Sequence, residues 1–484
     1  MSGKVSDNLG RSSGLVKSGV TPYDDDKVQS NIALLGFKCA VNGSLAKYNL
    51  QDQIIDEYED ATGIDAGNST NERLTAGVYD GATGSNPTGA TSTDTSVAGY
   101  TTLVLSAASG NIVVGSNGSV DVLVVAGGGS GGSDYGGGGG AGGLIYKAAH
   151  ALTAQTYAWV TGAGGASSGT AGGGNNGADS TWTDASTNVE FTASGGGGGA
   201  SEAGSTAAQN GGSGGGASYH TLGGFGSENQ SGEAGDSATY GFGNDGGASL
   251  GSPNYPNGGG GGAGSVGADA PSQSDGGPGG TGKNYSAIFG TAVGDSGWFA
   301  SGGGGGKAQE ATGGGTASAG GGTAGGSDNE GTANADANTG GGSGGCGRNP
   351  ASAGSGAGGS GIILLRYADG AFITGGSDLT LQSAANTASS AATKADLIML
   401  MENAEGTATI NTDIKGYVTA DGGSNWTEGT LVDEGTWGTN KKILAFHDAT
   451  VTSGTDMRYK ITTHNQSEGS KETKIHATSI GWKA

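Results

Sequence analysis

Glycine is the residue that most constrains this chain, because 110 of its 484 residues are glycine. A typical protein contains about 7% glycine, so the excess indicates either a disordered linker or an ordered scaffold that only glycine can form. Most of it lies between two apolar segments, 121–129 and 361–367. Runs of five glycines occupy residues 136–140, 195–199, 258–262 and 302–306.

The glycine-rich part has the features of an ordered scaffold. It has no strict three-residue period and the whole chain has only 7 prolines, which excludes a collagen helix. Many aromatic residues are interspersed between the runs, which a flexible linker does not need. Extended helices with three residues per turn, lying side by side, would pair every backbone N–H and C=O. The sequence therefore predicts a sandwich of polyglycine II helices.

The remainder of the chain is predicted to be mainly β, with little α-helix. Short apolar runs separated by turn signals predict an antiparallel β-sandwich at the C-terminal end. A small mixed module is expected before the glycine region, where Ile54, Ile55, Tyr58 and Ala61 have helix-like spacing. The predicted divisions are an extended arm over 1–27, a small attachment module over 28–80, a Gly/Ser/Thr linker over 81–99, the glycine-rich domain bracketed by strands over 100–367, a connector over 368–394 and the β-sandwich over 395–484.

Charge and composition exclude several classes of function. The formal net charge is −23 and the basic residues are scattered, so nucleic-acid binding is not expected. No run approaches the ~18 apolar residues of a membrane span, and the first ten residues lack a secretion signal. We therefore expect assembly in a host cytoplasm and release by lysis. Cys39 and Cys346 are expected to be unpaired thiols.

No arrangement of residues predicts an enzyme. Glycoside hydrolysis needs two carboxylates about 5–10 Å apart, and no spacing in the chain singles out such a pair. The glycine runs lack the Lys-Ser/Thr ending of a phosphate-binding loop. His447, His464 and His476 are interpreted as polar residues of strands, because no acidic pattern that would orient ligating imidazoles accompanies them. We predict no catalytic residue, no metal site and no cofactor.

One motif near the C-terminal end predicts a stabilised hairpin. The segment from Thr419 through Asp421 and Gly423 to Trp426 reads Thr-Ala-Asp-Gly-Gly-Ser-Asn-Trp and resembles the Asp-box of sialidases and other repeat proteins. The resemblance implies that Asp421 binds backbone N–H groups of the turn while Trp426 packs beneath it. A single copy favours a structural hairpin over sialidase activity.

Aromatic residues between the glycine runs are the candidates for receptor binding. Aromatic side chains held on a rigid frame are good anchors for sugars and protein loops. The alternative is that they fill gaps between the glycine helices. The candidates are Tyr219, His220, Phe225, Tyr240, Phe242, Tyr255, Trp298 and Phe299.

The order of motifs resembles the glycine-rich domain of phage tail-fibre adhesins and related virion proteins. The last ~90 residues also resemble C-terminal domains that are common in marine phage structural proteins. The motifs that carry the first resemblance are Val-Val-Ala-Gly-Gly-Gly (124–129), Gly-Ala-Gly-Gly-Leu-Ile-Tyr (140–146), Tyr-Ala-Trp-Val-Thr-Gly-Ala-Gly-Gly (157–165), Ala-Asp-Ser-Thr-Trp (178–182) and Gly-Ser-Gly-Ile-Ile-Leu-Leu-Arg-Tyr (359–367).

This resemblance implies a virion structural protein, a tail or head fibre that attaches by its N-terminal region and binds the host cell surface. The expected partners are other proteins of the tail, neck or capsid, further copies of the chain in a homotrimer, and a host surface glycan or outer-membrane protein. Insertion into a membrane is not expected. The alternatives are a capsid decoration protein without receptor binding and a polysaccharide-cleaving tailspike, against which the missing carboxylate cluster argues.

Overall fold

The chain forms two compact units, each built mainly of β-strands. One, the terminal unit, combines residues from Met1–Gly84 and Ile373–Ala484, and the other, the glycine-rich unit, comprises Ser85–Phe372. The predicted arm over 1–27 lies outside the described residues. The computed structural model describes residues 34–38, 47–50, 52–169, 172–185, 188–202, 205–219, 224–230, 241–307, 313–327, 330–348 and 354–484.

The terminal unit contains a twelve-stranded antiparallel sheet and a short helix, α1, over 34–38. The strands are β1 (Lys47–Leu50), β2 (Gln53–Asp56), β3 (Glu72–Thr75), β4 (Val78–Gly84), β17 (Ile373–Gly375), β18 (Thr380–Gln382), β19 (Asn386–Glu405), β20 (Ile414–Thr419), β21 (Thr427–Gly429), β22 (Val432–Thr436), β23 (Lys441–Thr463) and β24 (Glu472–Lys483). The main path through the sheet is β1-β2-β24-β19-β23-β20-β21. Strands from both ends of the sequence therefore meet, with β2 hydrogen-bonded to β24.

Both faces of the central strands of the terminal unit are buried. Alternate side chains of β19 enter different hydrophobic cores, with Leu397 and Met399 in one and Ile398 and Leu400 in the other. A strand that is buried on both faces reads as a continuous apolar run rather than as an alternating pattern. This explains the apolar sequence Leu-Ile-Met-Leu-Met at 397–401.

The glycine-rich unit contains a β-sandwich. Its elements are β5 (Ser92–Asp94), β6 (Tyr100–Leu105), β7 (Ser109–Val113), β8 (Gly118–Val125), β9 (Leu144–Leu152), β10 (Thr156–Val160), β11 (Ser180–Thr183), β12 (Val189–Ala193), β13 (Gly241–Phe242), β14 (Lys283–Asn284), the short helix α2 (Ser286–Phe289), β15 (Trp298–Phe299) and β16 (Ile362–Ala368). A six-stranded sheet, β13-β9-β8-β16-β6-β5, is central. The four-stranded sheet β12-β11-β10-β7 packs on one face through Trp159 and Trp182, and Phe289 and Phe299 pack on the other.

The glycine runs form an array of extended segments that continues from the strands of this sandwich. The segment over 136–143, which we call the central segment, leads directly into β9. Every backbone hydrogen bond of the central segment leaves it for another segment. Its hydrogen-bonded neighbours are 126–132, 194–201, 211–218, 256–263, 300–307 and 340–347.

The hydrogen bonds of the central segment repeat every third residue. Starting at Gly136, successive N–H groups donate to 340–347, then 194–201, then 256–263, and the same order begins again at Gly139. The other three neighbours donate to carbonyl groups of the central segment, and all these N···O distances lie between 2.7 and 3.0 Å. A partner that recurs every third residue means three residues per turn. The predicted sandwich of polyglycine II helices is confirmed.

Packing in the array leaves no room for a side chain at most interior positions. A Cβ added at Gly139 would lie 2.2 Å from the carbonyl oxygen of Gly129, and one at Gly138 would lie 2.1 Å from that of Gly303. Both distances are far shorter than any van der Waals contact, and the obstructing atoms belong to the backbone. The glycines therefore allow the backbones to approach closely enough to hydrogen bond.

At the rim of the array, asparagine and aspartate side chains accept hydrogen bonds from backbone N–H groups that have no neighbouring segment on that side. Asn176 accepts a hydrogen bond from the N–H of Gly198, and Asp179 accepts one from Gly195, both at 2.8 Å. Asp245 and Asp269 do the same for Glu228 and Ala248. Backbone N–H groups that face outward thus find an acceptor on an asparagine or aspartate side chain.

The structure divides the chain differently from the sequence-based prediction. The predicted linker over 81–99 contains the end of β4 and all of β5, and the predicted connector over 368–394 contains β17, β18 and the start of β19. Strands of the predicted 28–80 module pair with β24, so they share one sheet with the strands of 395–484. The polar strand β5 forms because an edge strand pairs on one side only and tolerates solvent-facing polar residues.

Replacing Gly139 by alanine is expected to destabilise the glycine-rich unit by about 3 kcal/mol, the upper end of the usual cost of overpacking. The cost is high because the added methyl meets a backbone carbonyl that cannot rotate away. Calorimetric thermal unfolding of the full chain measures it. The control is Gly67→Ala, where the nearest neighbour of the new Cβ is a carboxylate oxygen of Asp65 at 3.4 Å. An equal, small effect of both variants would contradict the packing described here.

Candidate functional site

Three tyrosines form a cluster at the ends of neighbouring glycine segments. The ring centroids of Tyr135 and Tyr219 are 5.0 Å apart, those of Tyr135 and Tyr255 5.8 Å, and those of Tyr219 and Tyr255 4.4 Å. Tyr135 is buried, whereas Tyr219 and Tyr255 are half-buried and reach solvent. The sequence predicted Tyr219 and Tyr255 as candidates for receptor binding, and the structure brings these two together.

The array itself places the three rings side by side. Tyr135 immediately precedes the central segment, Tyr219 follows the segment over 211–218, and Tyr255 precedes 256–263. These segments are hydrogen-bonded neighbours, so the turns at their ends must also be neighbours. Tyr135 and Tyr255 have φ values of 52° and 48°. This left-handed backbone is uncommon for a residue with a side chain and is often found at functional sites.

A carboxylate completes the tyrosine cluster. The hydroxyl of Tyr219 donates a hydrogen bond to Glu202, and the backbone N–H of Glu202 donates to the carbonyl of Asp134 at 3.1 Å. Burial, together with the negative charge of Glu202, raises the pKa of Tyr219 above its usual range. The hydroxyl is therefore protonated at neutral pH. The cluster presents two aromatic rings next to an acidic hydrogen-bond acceptor, a combination suited to binding sugars or peptide loops.

The other predicted aromatic residues lie elsewhere. Phe242, Trp298 and Phe299 are on the short strands β13 and β15. Phe242 pairs with Leu144, at the opposite end of the central segment from Tyr135, and eight residues at ~3.1 Å each separate these ends by about 25 Å. Phe299 is fully buried in the hydrophobic core on one face of the six-stranded sheet. Phe225 is exposed on 224–230, and His220 and Tyr240 lie outside the described residues.

Tyr135 and Glu202 are members of the cluster that the sequence analysis did not select. Tyr135 is the aromatic residue of Ser-Asp-Tyr at 133–135, which directly precedes the first run of five glycines. That position could have marked it as a residue of a turn between two segments. No local signal distinguishes Glu202, because its role depends on which segments are neighbours in the array.

The Asp-box motif forms the turn between β20 and β21 in the terminal unit. The carboxylate of Asp421 accepts hydrogen bonds from the hydroxyl of Thr419 at 2.7 Å and from the backbone N–H of Asn425 at 2.9 Å. These bonds, above all those with Asn425, lower the pKa of Asp421 to about 2. Gly423 has a φ of 93° and lies against the indole of Trp426. The geometry is that of a hairpin held by its own turn.

Histidine side chains in the described part of the chain do not gather into a metal site. His464 lies 2.9 Å from the hydroxyl of Thr462, and His476 lies 2.5 Å from the carboxylate of Glu402. Within the described ranges, no group of three or more His, Cys, Asp or Glu side chains could hold a metal ion. Cys346 is buried in the array, and burial raises the pKa of its thiol to about 12. Among the described helices, none is long and apolar enough to cross a bilayer.

The fold and the array define a mainly β protein that carries a polyglycine helix sandwich. A family model described as glycine-rich domain matches residues 106–368, which is more than half of the chain. The chain therefore belongs to this glycine-rich domain family. The matched region begins just before β7 and ends with β16, so it covers the array and most of the β-sandwich. Among curated proteins, none matches the chain.

Removing the carboxylate of the hairpin with Asp421→Ala is expected to destabilise the terminal unit by about 1 kcal/mol at pH 7. The pKa of Asp421 is lower in the folded protein than the ~3.9 of an unfolded chain, so its contribution is present above pH ~4 and disappears as the pH falls toward 2. Thermal unfolding between pH 7 and pH 2 measures the difference from wild type.

The matched control for this variant is Glu405→Ala, which removes an exposed carboxylate at the end of β19. Its effect should be small at every pH. A difference between Asp421→Ala and the wild type that stays constant across this pH range would show that the ionised carboxylate does not stabilise the turn.

Proposed function

We propose that the chain is a phage virion structural protein, a tail or head fibre that attaches through its N-terminal region and binds the host cell surface. The observation that carries the proposal is the tyrosine cluster, which collects aromatic rings from three separate turns at one end of a glycine array. The resemblance of the glycine-rich motifs to phage adhesins supplies the biological setting. The receptor class that fits the rings is a surface glycan or an outer-membrane protein loop.

Rigidity of the array supports a role in presenting a binding surface. Backbone hydrogen bonds to several neighbours hold the central segment and the segments around it, which fixes the positions at which Tyr135, Tyr219 and Tyr255 begin or end them. A preorganised surface loses less conformational entropy on binding than a flexible loop does. The strongly acidic composition also favours a soluble particle surface that does not associate nonspecifically.

Phage carrying Tyr219→Ala or Tyr255→Ala should adsorb about tenfold more slowly to the bacterium that supports its growth. Exposed aromatic anchors of an interface commonly contribute that much or more binding free energy. The rate at which free phage disappears from a host suspension measures adsorption, and the amount of the protein per virion shows whether the variant still assembles.

The control for this experiment is Tyr100→Ala. Tyr100 is an exposed tyrosine of the same unit, but it packs on Arg366 beside the six-stranded sheet rather than on the tyrosine cluster. Its loss should leave adsorption unchanged. Wild-type adsorption by both cluster variants, each present in normal amount, would contradict receptor binding at the cluster and would favour the decoration role without a receptor.

Attachment through the N-terminal region predicts that deletion of residues 1–27 prevents incorporation into virions. This deletion is preferable to a longer one, because Ile55, Tyr58 and Tyr79 are buried in the cores of the terminal unit and their removal would disturb its fold. Immunoblotting of purified particles, together with calorimetry of the deleted protein, measures both properties. Normal incorporation of a folded protein that lacks 1–27 would contradict the proposed attachment.

A further inference from the structure

A cavity of about 430 Å³ opens at the edge of the sheet in the terminal unit. Its volume lies within the ~300–1,000 Å³ typical of small-molecule sites. The tyrosine cluster belongs to the other unit, so this cavity is independent of the proposed receptor site. The lining residues that matter here are Thr427, Thr430, Val432, Glu434, Ala445 and His447.

The fold of β21, β22 and β23 creates the cavity. Val432 on β22 is directly opposite Ala445 on β23. Along β23, Ala445 and His447 are two residues apart and line the same side. Ala449 joins the lining beyond an irregularity in the pairing of β23 with β19. The segment that connects β21 to β22 closes the cavity. Gly429, the last residue of β21, allows the backbone to lie directly against the ring of Phe446, because a Cβ at this position would lie 2.2 Å from the ring.

Glu434 gives the cavity an acidic character, and His447 beside it faces a second carboxylate, that of Asp396. Nδ1 of His447 is buried without a hydrogen-bond partner in the described part of the chain, and it lies 3.6 Å from the carboxylate of Asp396. The carboxylate of Asp396, with Glu434 contributing, raises the pKa of His447 above its usual range. Glu434 itself makes no hydrogen bond or ion pair with any described residue. No lysine or arginine lines the cavity.

Hydroxyl groups and apolar side chains share the lining with the carboxylate of Glu434. The hydroxyl of Thr430 can bond a hydroxyl group of a ligand, and Oγ1 of Thr427, which donates to the carbonyl of Thr450 at 2.9 Å, can still accept a hydrogen bond. Val432 and Ala445 provide an apolar wall. A slender alkylammonium chain would use the carboxylate but make no hydrogen bond to Thr427 or Thr430. A sugar ring that bears a charged amine uses all three kinds of group, since sugars combine hydroxyls with an apolar ring face.

We propose that this cavity binds a hexosamine with a free amino group, with the ammonium at Glu434, hydroxyls at Thr427 and Thr430, and the apolar ring face on Val432 and Ala445. Such a sugar would belong to a surface glycan rather than to a protein partner. The site does not depend on the tyrosine cluster, so an experiment that contradicts one of the two proposed sites leaves the other proposal standing.

Titration of the full chain with glucosamine tests the proposal. The probe signal is the ¹³C-methyl resonance of Val432, assigned from its loss in Val432→Ile. Glucosamine should shift this resonance with millimolar affinity. Glu434→Gln should weaken the binding of glucosamine by about fivefold, as expected for loss of one partly exposed charge contact. The control Glu405→Gln should change the affinity less than twofold. Tyr219→Ala should leave it unchanged.

Two ligands of related chemistry sharpen the result. N-acetylglucosamine has the same ring without the charge, and it should bind about tenfold more weakly. Equal binding of both sugars, or a Val432 resonance that glucosamine does not move, would overturn the proposal. Nα-acetyl-lysine methylamide presents the amine on a peptide side chain, and binding as tight as that of glucosamine would overturn it in favour of a protein lysine.

Discussion

Hydrogen bonds between the backbones of neighbouring glycine segments hold the glycine-rich unit together. Each glycine costs about 0.5–1 kcal/mol more than alanine to order, so the array is stable only if nearly every backbone group is paired. The central segment meets this condition by donating to three neighbours and accepting from three others. The same close approach excludes Cβ atoms. Hydrogen bonding and the absence of side chains are therefore two aspects of one requirement, and the composition of the chain follows from it.

This requirement also decides where chemistry can occur. Most interior positions of the array exclude a side chain, and those that carry one hold small residues such as Ala141, Ser130 and Cys346. The asparagine, aspartate and tyrosine side chains described above lie at its rim and at the ends of its segments. At the rim, asparagine and aspartate act as substitutes for a missing neighbour. In the turns, the side chains of Tyr135, Tyr219 and Tyr255 are free to meet, because the segments that carry them are adjacent. Substitutions in the residues at the segment ends therefore do not have to alter the backbone hydrogen bonds of the array.

The sequence predicts the scaffold better than the contacts that depend on long-range pairing. Glycine runs bracketed by apolar strands were sufficient to predict polyglycine II helices. The helix-like spacing of Ile54, Ile55 and Tyr58 was misleading, because Ile54 pairs with Ile480 in a sheet and the Tyr58 hydroxyl bonds to Thr478. The candidates Tyr219 and Tyr255 meet at one site. Their common partner Tyr135 could not be deduced, because the local spacing of residues does not show which glycine segments are neighbours in the array. The boundaries of the units differ from the predicted ones because they depend on strand pairings between distant parts of the sequence.

Hydrogen–deuterium exchange of the full chain, followed by peptic digestion and mass spectrometry, tests the array most directly. Cleavage after Tyr135 and Leu144 would release the central segment as a single peptide. Its amides are all bonded to other segments, so they should exchange only through opening of the array and remain protected long after exposed turns have exchanged. Exchange of this peptide at the rate of an unstructured glycine chain would contradict the hydrogen-bonded array.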